Sequence, residues 1–409
     1  MLSIRQHAKK FIILSVFSIG GISLCFANPE IPVNKQQGTT IFLPPDYKAK
    51  AINVLKKQIL TEAAWAMVQQ PETVTANTSA RSAGGKHDFF SEADYFWPNP
   101  ANPGGPYITK DGLTNPDNFL KHRQSMIRFS KIIGALASAY QLTGDEKYVR
   151  QALVHLKAWF TDPETLMNPS LLYTQAVRGE STGRSWGIID TIHLMEVAQG
   201  IIVMENAAAM KNEDLSGFRK WFSTYITWLN THPYGKAEKA AANNHGTCWT
   251  MQVASFARLT GDQQMLEECR ERYKKHLADQ MDNKGGFPLE LKRTKPYGYS
   301  IFNLDAMTMI CQILSDKDHD LWNFKTADGK SLKMGIDFLY PFLADKSTWT
   351  YQKDVLYWDN WPVAQPALLF GAITFKQSGW FDTWKQLDHS PKVEEVIRNL
   401  PVRHPLLWL

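Results

Sequence analysis

Three short clusters of polar residues carry the side-chain types that acid–base chemistry on an anionic substrate needs. The first is Asn243-Asn244-His245-Gly246-Thr247, at the predicted N-terminus of a helix, where the positive end of the helix dipole favours an anion. The second is a polar loop within residues 285–306 that runs into an apolar helix and offers Glu290, Arg293, Lys295, Tyr297 and Tyr299. The third is Gly183-Arg184-Ser185-Trp186, just before another predicted helix.

The first two clusters also have ordinary structural explanations. Asn243 or Asn244 is of the type that caps a helix, with His245 as a satisfied turn residue. The second cluster is equally compatible with a surface loop whose tyrosines pack. None of the three clusters has metal-ligand spacing, so the sequence predicts no metal and no cofactor.

The elements around these clusters are predicted to be helical. A helix is expected at 47–68, followed by a segment at 69–118 rich in Pro, Gly, Asn and aromatics, which we expect to form an ordered loop or lid. The sequence Leu-Thr-Gly-Asp occurs at 142–145 and again at 259–262, each time between two amphipathic helices. Because Gly ends one helix and Asp starts the next, this is a repeated helical hairpin.

Further helices are predicted at 186–205, 214–230, 299–314 and 333–343, and strand patterns are few. About ten to twelve helices in antiparallel pairs predict an all-α fold, an (α/α) toroid or incomplete barrel of helical hairpins, or else a superhelical solenoid. The tail from Ser347 is interpreted as a closing segment of the same domain, so residues 28–409 are expected to form a single domain.

The first 27 residues have the pattern of a signal peptide. Arg5, Lys9 and Lys10 precede an almost uncharged apolar run, and Cys25-Phe26-Ala27 places small residues at the cleavage positions. A lipoprotein at Cys25 and a retained membrane anchor are the alternatives. We expect export to the periplasm or beyond the cell, with no membrane association after cleavage.

Charge and cysteine content limit the kinds of partner and of covalent cross-link that the chain can have. The 409 residues carry 45 Lys and Arg against 40 Asp and Glu, and removal of the three basic residues of 1–27 leaves 42 against 40, a net charge of +2. No basic tract points to nucleic acid. The mature chain keeps three cysteines, Cys248, Cys269 and Cys311, which we predict to be buried free thiols.

Taken together, the clusters resemble the active-site set of the alginate lyase family, the α/α-toroid lyases that include polysaccharide lyase families five and thirty-eight. The matching segments are STGRSWGIIDT at 181–191, NNHGT at 243–247 and RTKPYGYS.FNL at 293–304, with PYITKDG and LTGD in the same style. The resemblance is strongest over 94–316. Thr247-Cys248-Trp249 departs from the family-five pattern, and the six-residue spacing from Arg293 to Tyr299 is closer to family thirty-eight.

The resemblance implies β-elimination on a uronate polymer without a metal. The C5 proton is only weakly acidic beside a charged carboxylate, so the enzyme must neutralise that carboxylate and stabilise an enolate-like intermediate. Asn244, His245 and Arg293 are the implied residues for this task. Tyr299 is implied as the base that takes the C5 proton and as the acid that returns a proton to the leaving oxygen, with Arg293 drawing its pKa down towards working pH.

One residue can serve both steps only in a syn elimination, which suits β-mannuronate and β-glucuronate and disfavours guluronate. His245 as the base of an anti elimination is an alternative, and Tyr297 is an alternative to Tyr299. Glu290 is interpreted as orienting Arg293. The remaining candidates are interpreted as contacts to an acidic polysaccharide, the carboxylate-binding cations Arg184 and Lys110 and the sugar platforms Tyr95, Trp97, Tyr107 and Trp186.

Two other classes of protein remain open at this point. A glycoside hydrolase needs two carboxylates that flank the glycosidic bond, and the candidates are Asp190, Glu196, Glu290 and Asp305. A non-catalytic glycan-binding protein is the third possibility. The sequence leaves the oligomeric state open.

Overall fold

Helices in antiparallel pairs make up most of residues 45–409, the part of the chain that the computed structural model describes. The predicted signal segment 1–27, and Cys25 with it, lies outside the described residues. The α-helices in this part are α1 (Pro45–Ala66), α2 (Lys121–Thr143), α3 (Glu146–Phe160), α4 (Leu194–Met204), α5 (Asn212–Thr231), α6 (Pro233–Lys239), α7 (Asn244–Thr260), α8 (Gln263–Gln280), α9 (Pro288–Leu291), α10 (Pro296–Leu314), α11 (Leu332–Ala344), α12 (Pro366–Phe375), α13 (Ser378–Gln386) and α14 (Glu394–Arg398).

Strands are few and short, as expected. Strand β1 (Phe90–Glu92) pairs in parallel with β4 (Tyr173–Ala176), and β2 (Phe96–Trp97) pairs with β3 (Ile108–Thr109) in an antiparallel hairpin. Three of these strands lie in the long irregular segment, so the prediction that 69–118 is ordered is confirmed. Five 3-10 helices complete the described elements, at Val74–Ala76, Ser185–Thr191, Lys346–Thr348, Trp358–Asn360 and Pro405–Trp408.

The repeated hairpin is confirmed at both sites. Gly144 and Gly261 end α2 and α7 with φ of 69° and 76°, a left-handed conformation that glycine adopts without strain. Asp145 then accepts a hydrogen bond from the Lys147 backbone N–H, and Asp262 accepts one from that of Met265. These aspartates cap α3 and α8, so each Gly-Asp pair turns the chain between two antiparallel helices.

An inner layer of nearly fully buried helices forms the centre of the toroid. Helix α4 packs between α2 and α7, and α10 packs between α7 and α12. The outer helices are amphipathic, for example α3 against α2, α8 against α7 and α13 against α12. Burial of one face of each outer helix against the inner layer explains the helical spacing of apolar residues in the sequence. Cys248, Cys269 and Cys311 are buried free thiols in this core, as predicted.

The C-terminal tail closes the same unit, as expected. Gln199 on α4 and Gln312 on α10 each donate a hydrogen bond of 2.7 Å to the tail, at the carbonyls of Leu407 and Trp408. Lys48 on α1 donates to the Leu409 carbonyl at 2.6 Å. Residues 45–409 therefore belong to one compact unit, in which the first described helix is tied to the last residue of the chain.

One predicted helix is divided in the structure. Residues 186–205 form the 3-10 helix Ser185–Thr191 followed by α4, with a bend of 40°. The 3-10 segment lies against β4, where a Cβ at Gly187 would meet the Thr174 hydroxyl. Among the described residues no single helix is long and apolar enough to cross a membrane, although these two segments pass that test as a bent pair.

Helix α10 begins three residues earlier than predicted, and this changes where its tyrosines point. Pro296 occupies the first turn, and the Asp354 carboxylate accepts hydrogen bonds from the backbone N–H groups of Tyr297 and Gly298, at 2.8 and 2.9 Å. Both tyrosines are therefore helical. At 3.6 residues per turn, residues two apart lie on nearly opposite faces, so Tyr297 and Tyr299 face different surroundings.

Candidate active site

A cleft of about 670 Å³ lies at one end of the inner helices. The N-termini of α7 and α10, the β2–β3 hairpin, the 3-10 helix at 185–191 and the end of α14 all contribute to its wall. Its lining includes seven of the predicted site residues, which are Tyr95, Arg184, Trp186, Asn244, His245, Arg293 and Tyr299. Tyr95 and Tyr299, 204 positions apart in the sequence, thus meet in one place.

The start of α7 presents Asn244 and His245 to the cleft. Asn243 is the N-cap, and its side chain accepts a hydrogen bond from the His245 backbone N–H, so the capping interpretation is correct for Asn243. Asn244 instead donates twice to the buried Glu290 carboxylate, from its backbone N at 2.8 Å and from Nδ2 at 2.7 Å. This pair of bonds fixes the Asn244 amide, and Asn244 lines the cleft.

His245 is oriented by a second buried carboxylate. Its Nδ1 lies 2.5 Å from Oε1 of Glu238 on α6, and its ring packs edge-on against Trp186 at 5.0 Å between centroids. Glu238 makes Nδ1 the donor, since a carboxylate only accepts. Nε2 is then the ring nitrogen without a protein partner among the described residues, and it is free to hold a proton towards a ligand or to take one.

Tyr299 lies between a cation and another hydroxyl. The Arg293 guanidinium is 4.7 Å from the centre of the Tyr299 ring, and the Tyr95 hydroxyl is 2.8 Å from the Tyr299 hydroxyl. Burial raises the pKa of Tyr299, and the Arg293 charge and the Tyr95 hydrogen bond oppose that rise without cancelling it. Arg293 therefore acts on this pKa in the expected direction, but burial outweighs its charge, so the net shift is upwards and away from working pH.

Arg293 is held by Asp111, a residue that the sequence interpretation did not select. Asp111 accepts from Nε and from a terminal nitrogen of Arg293 at 3.2 and 2.7 Å, and from the Thr294 hydroxyl at 2.9 Å. Partial burial would raise the pKa of Asp111, but the charge of Arg293 and the hydrogen bonds from Arg293 and Thr294 hold it below its usual value. Asp111 lies in the PYITKDG segment, so the family pattern pointed to the segment but not to this role.

Arg184 has more unused hydrogen-bonding capacity. Its guanidinium lies 4.6 Å from the centre of the Phe96 ring and donates to the Gln175 side chain at 3.1 Å. Its Nε is buried without a partner, and no carboxylate lies within 4.0 Å of it among the described residues. Trp186, next to it, is 49% exposed and presents a flat apolar face at the rim of the cleft.

Five predicted contact residues do not line the cleft. Tyr297 is fully buried and donates to the Phe342 carbonyl at 2.9 Å, so the interpretation of Tyr297 as a substrate contact or alternative base is wrong. Glu290 is 1% exposed and orients Asn244, not Arg293. Lys110 Nζ lies 5.0 Å from the centre of the Trp97 ring across the hairpin, and Tyr107 packs against Arg178. A role for these last three in binding more distant sugars stays a prediction.

The other carboxylates considered for a hydrolase accept hydrogen bonds from buried groups outside the cleft. Asp190 accepts from Ser91 at 2.6 Å, Glu196 accepts from the backbone of His404, and Asp305 accepts from the Ala367 backbone N–H. All are buried and none lines the cleft. The two aspartates that do line it, Asp94 and Asp111, are each bound to arginine, so the cleft has no free pair of carboxylates among the described residues.

Comparison with known proteins settles the family. A family model described as alginate lyase matches residues 73–349, more than half of the chain. The chain belongs to the alginate lyase family. An alginate lyase from Bacteroides ovatus is 30% identical, with a TM-score of 0.75, over 90% of this chain and 98% of that one. The alginate lyase family is a family of polysaccharide lyases, and the predicted toroid fold is confirmed.

More distant structures share the fold alone. A variant of alginate lyase A1-III complexed with a tetrasaccharide is 12% identical, with a TM-score of 0.53, over 86% of this chain and 94% of that one. A second A1-III variant with a tetrasaccharide is 13% identical, with a TM-score of 0.50, over 78% and 86%. The A1-III enzyme comes from Sphingomonas species A1. No curated protein sequence matches the chain.

Proposed function

We propose that this protein is an exported lyase that cleaves β-1,4-linked polymannuronate or glucuronan by syn β-elimination. The observation that carries the proposal is the meeting of Asn244, His245, Arg293 and Tyr299 in one cleft, each held by a second residue. An amide, an imidazole and a guanidinium supply the donors that a uronate carboxylate needs as negative charge develops beside it.

In the proposed reaction Tyr299, as its phenolate, takes the C5 proton. The electron pair left behind forms the C4–C5 double bond as the bond from C4 to the leaving oxygen breaks. Tyr299 then returns the proton to that oxygen and is again a phenolate. The phenolate must exist in a buried site, and the guanidinium of Arg293 and the hydroxyl of Tyr95 both favour it there.

A second mechanism has its own support in the contact between His245 and Glu238. A histidine whose Nδ1 donates to a carboxylate has the arrangement of a general base acting through Nε2. With His245 on the opposite side of the sugar from Tyr299, the elimination would be anti, and guluronate would be the substrate. The choice of polymer therefore distinguishes the two mechanisms.

The test is ultraviolet absorbance during incubation with polymannuronate, polyguluronate and glucuronan, with reducing ends measured in parallel. A rise with polymannuronate or glucuronan supports the proposal and names the polymer, because elimination leaves a conjugated double bond. A rise with polyguluronate alone supports His245 as the base. New reducing ends without a rise in absorbance would contradict a lyase reaction of any kind. No change in either assay would contradict cleavage of these polymers.

Export is proposed on the sequence of residues 1–27 and has a separate test. Expression of the full chain in a Gram-negative host, followed by mass determination of the periplasmic protein, should give a chain that begins at Asn28. A protein of full mass in the membrane fraction would instead support a retained anchor.

A further inference from the structure

The short C-terminal helix α14 contributes to the cleft although it lies outside residues 73–349, the part that the family model matches. Arg398 and Asn399 line the cleft, and Glu395 lies behind it with 7% of its surface exposed. The site residues within 73–349 and this helix are thus separate parts of the sequence that meet at Tyr95 and Tyr299.

Glu395 is the centre of a buried group of charges. Its Oε1 accepts from Lys295 Nζ at 2.6 Å and faces the Tyr95 hydroxyl at 3.4 Å, and its Oε2 accepts from Arg398 at 3.1 Å. Lys295 is 3% exposed and lies over the rings of Tyr95 and Tyr299, at 4.8 and 5.8 Å from their centres. The two cations hold the pKa of Glu395 below its usual value, so it stays a carboxylate.

The Tyr95 hydroxyl therefore has two possible acceptors for its single proton. When Tyr299 is neutral, Tyr95 can donate to Glu395 while it accepts from Tyr299. When Tyr299 is a phenolate, Tyr95 must donate to Tyr299, because a phenolate oxygen has no proton to give. The Tyr95 hydroxyl oxygen lies 2.8 Å from the Tyr299 hydroxyl and 3.4 Å from the Glu395 carboxylate, both within hydrogen-bonding distance. A change of acceptor therefore needs only a rotation of the Tyr95 hydroxyl.

We propose that Glu395 and Lys295 are a positioning pair that acts through Tyr95 on the proton of Tyr299. Glu395 competes with the Tyr299 phenolate for the Tyr95 proton, and Lys295 limits that competition by neutralising Glu395. This inference rests on the proposed function of Tyr299. The charged and titratable groups that face Tyr299 or Glu395 are Asp94, Tyr95, Asp111, Arg293, Lys295 and Arg398.

The test compares the pH dependence of kcat in two variants whose effects should have opposite signs. Glu395→Gln removes the negative charge, favours the phenolate, and should move the limb on which kcat rises with pH towards lower pH. Lys295→Met removes one of the two cations bound to Glu395, leaves Arg398 as the other, and should move that limb towards higher pH. On the rising limb, each unit of displacement changes kcat tenfold at a fixed pH.

A merely structural role would lower the rate or the stability of both variants without moving the limb in opposite directions, and that result would overturn the proposal. The double variant Glu395→Gln with Lys295→Met is the matched control, because it removes both charges and should return the limb close to that of the unmodified enzyme. If either single variant fails to fold, Tyr95→Phe serves instead. It removes no charge, deprives the phenolate of a donor, and should move the limb to higher pH; an unmoved limb contradicts the proposal.

Failure of this inference differs from failure of the proposed function. Full activity of Tyr299→Phe would remove the base itself. An inactive Tyr299→Phe together with unmoved limbs in the other variants would leave the base in place and remove only the role of Glu395 and Lys295.

Discussion

Replacement of the two tyrosines of α10 by phenylalanine should separate stability from turnover. Tyr297 is fully buried, and its hydroxyl donates to the Phe342 carbonyl at 2.9 Å, while its ring packs against Trp349 and Trp358. Tyr299 lines the cleft, and its hydroxyl meets that of Tyr95. Each substitution removes a single oxygen atom, so the two variants are matched controls for each other.

The expected magnitudes follow from these surroundings. Tyr297→Phe loses one buried hydrogen bond and leaves a carbonyl without its partner, which costs about 1–2 kcal/mol of the free energy of unfolding. Its kcat should be unchanged. Tyr299→Phe loses a residue that both takes and returns a proton, and general acid–base catalysis contributes about 10²–10⁴-fold, so kcat should fall by at least that range. Its stability should change by less than about 1 kcal/mol.

The two measurements are urea unfolding, which yields the free energy of unfolding, and the initial rate of absorbance increase on the polymer that the enzyme cleaves. Binding of the polymer should survive in Tyr299→Phe, which shows that the cleft is intact. A large loss of turnover in Tyr297→Phe with an active Tyr299→Phe would refute the helical assignment of both residues, because it would require Tyr297 to reach the substrate.

Three further outcomes are expected. Glu238→Gln should lower kcat about tenfold. The substitution weakens the hydrogen bond that orients His245, and a loss of about 1.4 kcal/mol corresponds to a factor of ten in rate. An unchanged rate would show that the bond does not orient the ring. Arg184→Lys should raise KM about tenfold with kcat unchanged, since a lysine lacks the guanidinium fork; a fall in kcat alone would contradict a binding role. His404, whose pKa is raised to about 9 by Glu196 and Glu62 despite burial, stabilises the fold fully below its unfolded value near 6.5, and urea unfolding should show this contribution lost as pH rises through 9. His404→Gln should weaken that alkaline dependence.

The hairpin repeat and the site clusters could be predicted because the information is local. In both repeats a Gly-Asp pair, Gly144-Asp145 and Gly261-Asp262, marks the end of one helix and the start of the next. The clusters of polar residues are likewise contiguous in the sequence. The order and spacing of those clusters then indicated the family. Their convergence in one cleft followed from the toroid, which brings the N-termini of α7 and α10 to the same end.

The partners of the site residues could not be predicted, because they depend on packing between distant segments. Glu238 precedes His245 by only seven residues but lies on a different helix, and Asp111 is 182 positions from Arg293. The start of α10 was placed three residues too late, although Pro296, a residue type favoured in the first turn of a helix, is a local signal for it. Its first turn is stabilised by Asp354, more than fifty residues later, and no pattern near Tyr297 indicates that carboxylate.

The pairing of charges in the cleft limits how a uronate carboxylate can be bound. Arg293 already donates two of its five N–H groups to Asp111, and Arg398 is bound to Asp94 and Glu395, so the charge of each cation is already balanced by a carboxylate of the protein. Arg184 has no such partner among the described residues. Burial lowers the pKa of Arg184, which reflects the cost of an uncompensated cation, and a bound carboxylate would remove that cost. Arg293 can therefore meet the reacting carboxylate and Tyr299 only from within its pair with Asp111, whereas Arg184 is available to bind a further carboxylate of the polymer.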